Sequence, residues 1–304
     1  MIDLRVKIGE SVFPTPVFVA SGTFGYGEEA GAIADLSNLG AIITKSISPE
    51  PRVGNPPPRL FETTAGLLNS IGLQNVGVEA FVKEKLPFLR NTGVPVIVNV
   101  VGKIGDDFVR VVERLENESG IVGYELNLSC PNVSEGGLEF SQTTKAAFAL
   151  TSEIRKRTKR LVMPKLTPNV TSIAEIAKAV ESAGADVISL INTITGLAVD
   201  IETWKPRINT IIGGYSGPAI KPVALAKVYQ AAGAVKVPIV GIGGITSWQD
   251  AVEFFLAGAH AVQVGTANFI NPNTAIEVAD GLANYLAQRG HLRPSELIGK
   301  MKKS

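Results

Sequence analysis

A lone cysteine and a scattered set of amides and lysines carry most of the chemistry this sequence offers. Cys130, the only thiol, lies in Asn127-Leu-Ser-Cys-Pro-Asn132, with Pro131 fixing the backbone behind it. A free cysteine is more often a small buried hydrophobe. A turn position between Ser129 and Asn132 instead favours a base or nucleophile. The next stretch, Val133-Ser-Glu-Gly-Gly137, reads as a segment able to open and close over a site. Lys45, Asn99, Asn127, Lys165 and Asn192 stand, like Cys130, at or just beyond the C-terminal ends of expected strands. Amides both donate and accept, which suits a polar, planar, uncharged or weakly anionic ligand. Singly, each is as readily a strand terminator or turn cap; several strands ending alike argue for a site.

Two glycine turns, Gly241-Ile-Gly-Gly244 and Val264-Gly-Thr266, expose backbone N–H groups. Ser247 reads as the N-cap of a following helix whose dipole adds positive potential, so a phosphate is expected here. Ser216-Gly217-Pro218 offers a third backbone contact. The lysines leave two chemistries open: a Schiff-base aldolase or isomerase, or a flavin enzyme in which a lysine stabilises charge on the reduced ring. His260, His291 and Trp248 read as structural, and Glu125 as a hydrogen-bonded polar group of the core.

The elements that must position these residues repeat a single unit, an apolar strand followed by a loop and an amphipathic helix. Expected strands are Val17–Ala20, Ala41–Thr44, Val96–Val100, Gly123–Leu128, Leu161–Leu166, Asp186–Ile191, Pro238–Ile242 and His260–Gly265. Expected helices include Val78–Leu89, Asp106–Glu118, Thr144–Arg157, Ser172–Ala183, Pro222–Ala232 and Trp248–Ala257. Continuous apolar strands alternating with helices indicate a parallel sheet covered on both faces. Eight of them match a closed (β/α)8 TIM barrel of the α/β class, whose sites lie where the strands end. A doubly wound open sheet is disfavoured, because Ser21-Gly-Thr-Phe-Gly-Tyr-Gly27 lacks the G-x-G-x-x-G spacing. Two long segments, Ser46–Asn75 and Thr193–Lys221, follow strands and so fall on the site face. No linker interrupts the pattern, so residues 1–304 are expected to form a single domain.

With 45% hydrophobic and 19% charged residues over 304 positions, the composition excludes disorder. Lys+Arg of 29 against Asp+Glu of 28 leaves a formal charge of +1, too little to gather a nucleic acid. One cysteine and two distant histidines make a poor metal cage. The start, MIDLRVKIGE, is too charged for a signal peptide, and no segment reads as a bilayer span, so the cytoplasm is expected.

Taken together, Ala20-Ser-Gly22, Lys45-Ser46, Asn69-Ser-Ile-Gly-Leu-Gln-Asn75, Asn127-Leu-Ser-Cys-Pro-Asn132, Ile191-Asn-Thr193, Gly241-Ile-Gly-Gly244 and Gly265-Thr266 resemble the class 1 dihydroorotate dehydrogenases. The likeness runs from about Leu4 to Leu286. A cysteine at position 130, where class 2 has serine, points to class 1. Ala20–Gly27 and Thr64–Gly72 look most like type 1B, the NAD-linked catalytic subunit, although Val133–Ser141 departs somewhat from its usual wording. The resemblance implies FMN at the C-terminal face of the barrel and oxidation of (S)-dihydroorotate to orotate in pyrimidine synthesis. It implies Cys130 as the base. Ser21, Lys45, Ser46, Asn99, Asn127, Lys165, Ile191 and Gly217 would surround the flavin, and Gly243, Gly244, Gly265 and Thr266 would take its phosphate. Lys45, Asn69, Ser70, Ile71, Gly72, Leu73, Asn127, Asn132, Asn192 and Thr193 would hold the substrate. An iron–sulfur cluster needs about four thiolates, so the cluster and FAD of a type 1B enzyme would reside on a partner subunit, in a heterotetramer around a catalytic homodimer. The alternatives are a type 1A homodimer that reduces fumarate, tRNA dihydrouridine reduction, the Schiff-base barrel and a non-catalytic binding barrel.

Overall fold

The computed structural model describes residues 2–129, 131–132 and 138–302, with the backbone alone at 131–132, 138–139 and 141. Eight parallel strands close into a barrel: Val17–Val19, Ile42–Ile43, Val96–Val100, Gly123–Asn127, Leu161–Leu166, Ile188–Leu190, Ile239–Ile242 and Ala261–Val264. Each pairs with its neighbours in sequence, and the eighth pairs with the first through Val262↔Val17 and Val264↔Val19. The expected barrel is therefore the observed one. Strands Val96–Val100 and Leu161–Leu166 and helices Thr144–Arg157 and Trp248–Ala257 begin and end where the apolar pattern placed them.

Successive strand residues face opposite sides, and this pleat separates two cores. Val98, Val100, Leu126, Val162, Ile188 and Val262 face outward under the helices. Phe18, Ile43, Ile97, Met163, Val187, Val240 and Ala261 fill the barrel interior near its N-terminal end. That plug is closed by a hairpin absent from the sequence reading, Val6–Ile8 paired with Ser11–Phe13. The Phe13 and Phe18 rings lie 4.9 Å apart. The next interior positions toward the C-terminal ends are polar: Asn99, Glu125, Ser189 and Gln263, all fully buried.

Two expectations need correction. Val78–Leu89 is not one regular helix: Val78–Ala80 and Leu86–Asn91 flank a wider turn at Phe81–Lys85. Pro87 supplies no N–H to the helical ladder, which accounts for the irregularity. The long segments at the site face also contain paired strands. Leu60–Thr63, Gly66–Asn69, Ile194–Leu197 and Ile212–Ser216 form a four-stranded antiparallel sheet across the barrel mouth. Its strands come close together at glycine: a Cβ on Gly213 would stand 2.5 Å from the Asn69 carbonyl oxygen.

Candidate functional site

A cavity of about 710 Å³ lies between the strand ends and this antiparallel sheet. That is within the ~300–1,000 Å³ range of small-molecule sites. Ser21, Lys45, Ser46, Asn69, Ser70, Ile71, Gly72, Leu73, Asn127, Lys165, Ile191, Asn192, Thr193, Gly217, Gly243, Gly244, Gly265 and Thr266 all border it. Asn99 does not border it. It lies one layer below, fully buried, and its Nδ2 donates to Glu125 Oε2 at 2.6 Å. Cys130 and the Asn132 side chain lie outside the described residues; Asn127 and Ser129, just before them in the chain, border the cavity.

The polar groups are held by one another. Asn192 Nδ2 donates to Asn127 Oδ1 at 3.2 Å, and Asn192 Oδ1 accepts the Thr193 N–H at 2.8 Å. Asn69 Nδ2 donates to the Gly214 carbonyl at 3.1 Å, tying one long segment to the other. Lys165 Nζ donates to Ser21 Oγ at 3.3 Å. Burial lowers the pKa of Lys45, and the Arg59 guanidinium adds to the effect. Gly72 and Leu73 have φ of 74° and 58°. A leucine in the left-handed region is uncommon, and such residues cluster at ligand clamps.

The glycine turns serve different needs. At Gly244, φ is 73° and an added Cβ would stand 2.8 Å from the Lys221 nitrogen, so the protein itself demands glycine. At Gly265 an added Cβ would make only ordinary contact, with Ala20 Cβ at 3.5 Å, so the protein's own packing does not demand glycine there. Ser247 caps the helix that starts at Trp248, as expected: its Oγ accepts the Asp250 N–H at 3.4 Å, and in return Asp250 Oδ2 accepts the N–H groups of Thr246 and Ser247 at 2.8 and 2.9 Å. Burial works to raise the pKa of Asp250, but the Lys221 ammonium and these N–H and hydroxyl donors outweigh it and hold the carboxyl below its usual range.

Sequence reasoning missed Thr167, Asn169 and Thr195, which also border the cavity. Asn169 Nδ2 donates to the Thr193 carbonyl at 3.2 Å, and its Oδ1 accepts the Thr195 N–H at 3.2 Å. The strand-end signal that found Lys165 extends two and four residues further, to Thr167 and Asn169. The histidines are structural, as expected. Burial lowers the pKa of His260, whose backbone N–H donates to the Ile239 carbonyl at 2.7 Å, and His291 pairs with Glu296 at 3.0 Å. Trp248 packs on Tyr285, with ring centres 5.5 Å apart.

These residues fit a flavin mononucleotide. Glycine turns with backbone N–H groups stand on one side, and lysines and amides suited to a polar ring edge line the same cavity. Ser70 Oγ and Ser129 Oγ are buried on its border without a hydrogen-bond partner among the described residues, the condition a bound polar ligand relieves.

Comparison with known proteins places this arrangement. The dihydroorotate dehydrogenase family pattern matches residues 3–286. The chain is 49% identical over 301 residues to dihydroorotate dehydrogenase B (NAD(+)), catalytic subunit, of Thermoanaerobacter sp. (strain X514), covering 99% of both chains. It is 50% identical over 299 residues to the protein of that name from Geotalea uraniireducens (strain Rf4), covering 98% of both. The crystal structure of DHODH from Eimeria tenella in complex with ferulenol shares the fold, with a TM-score of 0.81 at 24% identity over 98% of this chain and 88% of that one. Matched along nearly its whole length, the chain belongs to the dihydroorotate dehydrogenase family.

Proposed function

We propose that this chain is a catalytic subunit that oxidises (S)-dihydroorotate to orotate in pyrimidine biosynthesis, with FMN in the cavity and NAD as final electron acceptor. One observation carries the site assignment: Lys45, Asn69, Asn127, Lys165 and Asn192, drawn from five separate stretches of sequence, border one cavity. The family removes the Schiff-base reading, although a lysine with a lowered pKa would have suited it.

Bound there, FMN would supply the hydride acceptor. Backbone groups of Gly243, Gly244, Gly265 and Thr266 would hold its phosphate. Ser21, Ser46, Lys165, Ile191 and Gly217 would form the ring pocket, with Asn99 supporting it from the layer below and Lys45 and Asn127 touching both cofactor and substrate. Asn69, Asn132, Asn192 and Thr193 would fix the pyrimidine through donors and acceptors on its edges. Ser70 and the turn Ile71-Gly72-Leu73 would receive the substrate carboxylate. Cys130 Sγ would take the proton from C5 as the hydride leaves C6, and its protonated thiol would then release that proton to water. The single cysteine leaves no ligand set for an iron–sulfur cluster. The cluster and FAD therefore belong to a partner subunit, in a heterotetramer around a catalytic homodimer.

We further take residues 1–304 as one FMN-binding domain that works in the cytoplasm. Among the described residues, no helix is long and apolar enough to cross a membrane. The deciding experiment is the visible spectrum of the purified chain with and without dihydroorotate. A yellow protein bleached by dihydroorotate supports the reading, and a colourless one overturns it. Fumarate-dependent turnover by the isolated chain under anaerobic conditions would replace the NAD-linked assignment with a fumarate-linked homodimer.

A further inference from the structure

Directly beneath the cavity the barrel is filled with polar side chains, where branched apolar residues usually sit. At the centre of this layer is Glu125, which is fully buried. Its Oε1 accepts from Ser189 Oγ at 2.9 Å and Gln263 Nε2 at 2.8 Å. Its Oε2 accepts from Asn99 Nδ2 at 2.6 Å and lies 3.7 Å from Lys165 Nζ. Every neighbour presents a donor, the complement of an acceptor-only carboxylate. Stability alone does not explain this residue, since a buried ion pair is often matched or bettered by apolar residues of similar volume.

The carboxylate reaches the cavity through its partners. Lys165 borders the cavity, and its Nζ also donates to Ser21 Oγ, another border residue. Asn99 gives its Nδ2 to Glu125, which fixes the orientation of its amide and leaves Oδ1 without a hydrogen-bond partner among the described residues. A lysine donor and an oriented amide are thus set by one acid that does not itself border the cavity.

We propose that Glu125 is a positioning residue that anchors the Lys165 ammonium and the Asn99 amide and so sets the positive charge presented to the bound flavin. The inference rests on the FMN reading above. The Glu125 carboxylate, placed behind the ammonium, cancels part of its field. In a site shielded from water that field acts strongly, so removing the negative charge favours the electron-richer form of the flavin.

The test compares the FMN-loaded wild type with Glu125→Gln and Ser189→Ala, measuring bound-flavin reduction potential against a redox dye and the flavin content of each protein. Glu125→Gln keeps shape and deletes charge. It is expected to hold flavin and shift the oxidised-to-reduced balance about tenfold toward reduced, a rise of about 30 mV for a two-electron couple. Ser189→Ala removes one donor and leaves the carboxylate less neutralised, so its potential moves the opposite way by a smaller amount. An unchanged or lowered potential in Glu125→Gln overturns the proposal. Should that variant fail to fold, a Ser189→Ala potential equal to that of the wild type overturns it alone. A colourless wild-type chain is a different result, and it defeats the FMN reading itself.

Discussion

Ile97 and Asn99 stand two residues apart on one strand and face the same interior, as do Met163 and Lys165, and Ala261 and Gln263; Val187, just before its strand, and Ser189 repeat the pattern. In each pair the first residue joins the apolar plug, and the second joins the polar layer or borders the cavity. The lower region is sealed from outside by Phe13 and Ile8 of the N-terminal hairpin. The upper region is bound by its own hydrogen bonds and faces the cavity, which the antiparallel sheet covers from above. A single pleat thus delivers an apolar plug and a chemically loaded bed along the same strands. The contrast teaches that stability and reactivity are separated by one step of two residues, so substitutions on either side of that step should have different readouts.

The largest effect is expected in the plug. Phe18→Ala should cost ~3–5 kcal/mol of stability by opening a cavity, seen in denaturant unfolding, while the folded fraction binds flavin as before. A comparable loss of flavin per folded molecule would erase the separation. Cys130→Ala comes next, expected to slow flavin reduction by dihydroorotate about 10²-fold or more, the weight of a positioned base, with midpoint and flavin content unmoved. Wild-type reduction kinetics in that variant would remove Cys130 from the mechanism.

Lys45 sharpens the contrast through pH. Burial and Arg59 lower its pKa in the folded protein below the ordinary 10.5. Between the lowered value and 10.5 the unfolded chain therefore binds more protons, and stability rises with pH across that window. Over the same window the ammonium that would face the substrate is lost, so affinity falls while stability grows. The KM for dihydroorotate should climb in alkaline buffer for the wild type and stay flat in Lys45→Arg, whose guanidinium does not titrate there. Parallel curves would exclude Lys45 from substrate binding. The smallest effect belongs to Asn169→Ala, which cuts the tie between Thr193 and Thr195. A loss of about 1–2 kcal/mol, for two long hydrogen bonds, should appear in the dihydroorotate KM before it appears in melting.

The barrel was legible because a strand buried on both faces is a continuous apolar run, as Val96–Val100 shows. The cavity border was legible because Lys45, Asn127 and Asn192 interrupt such runs at their ends. The antiparallel sheet across the mouth was not. Ile212-Gly-Gly-Tyr-Ser216 carries no alternation, is nowhere fully buried, and pairs with Gly66–Asn69 from a distant part of the chain. The hairpin that closes the plug has three-residue strands, below the usual length of about 5–6. Helix Thr274–Arg289 was obscured by Gly281, whose missing side chain makes room for the Trp248 ring. Glu125 could be read as a core polar group, but its donors come from four other strands, and no local pattern announces them.

The sheet across the mouth also bears on how small molecules come and go. Gly214↔Asn69, Tyr215↔Leu68 and Ser216↔Leu67 form a zipped seam between segments far apart in the chain. Lifting it means breaking backbone bonds that re-form in only one register, far slower than the swing of an exposed side chain. A ladder is a poor door. Traffic is therefore expected around the seam rather than through it.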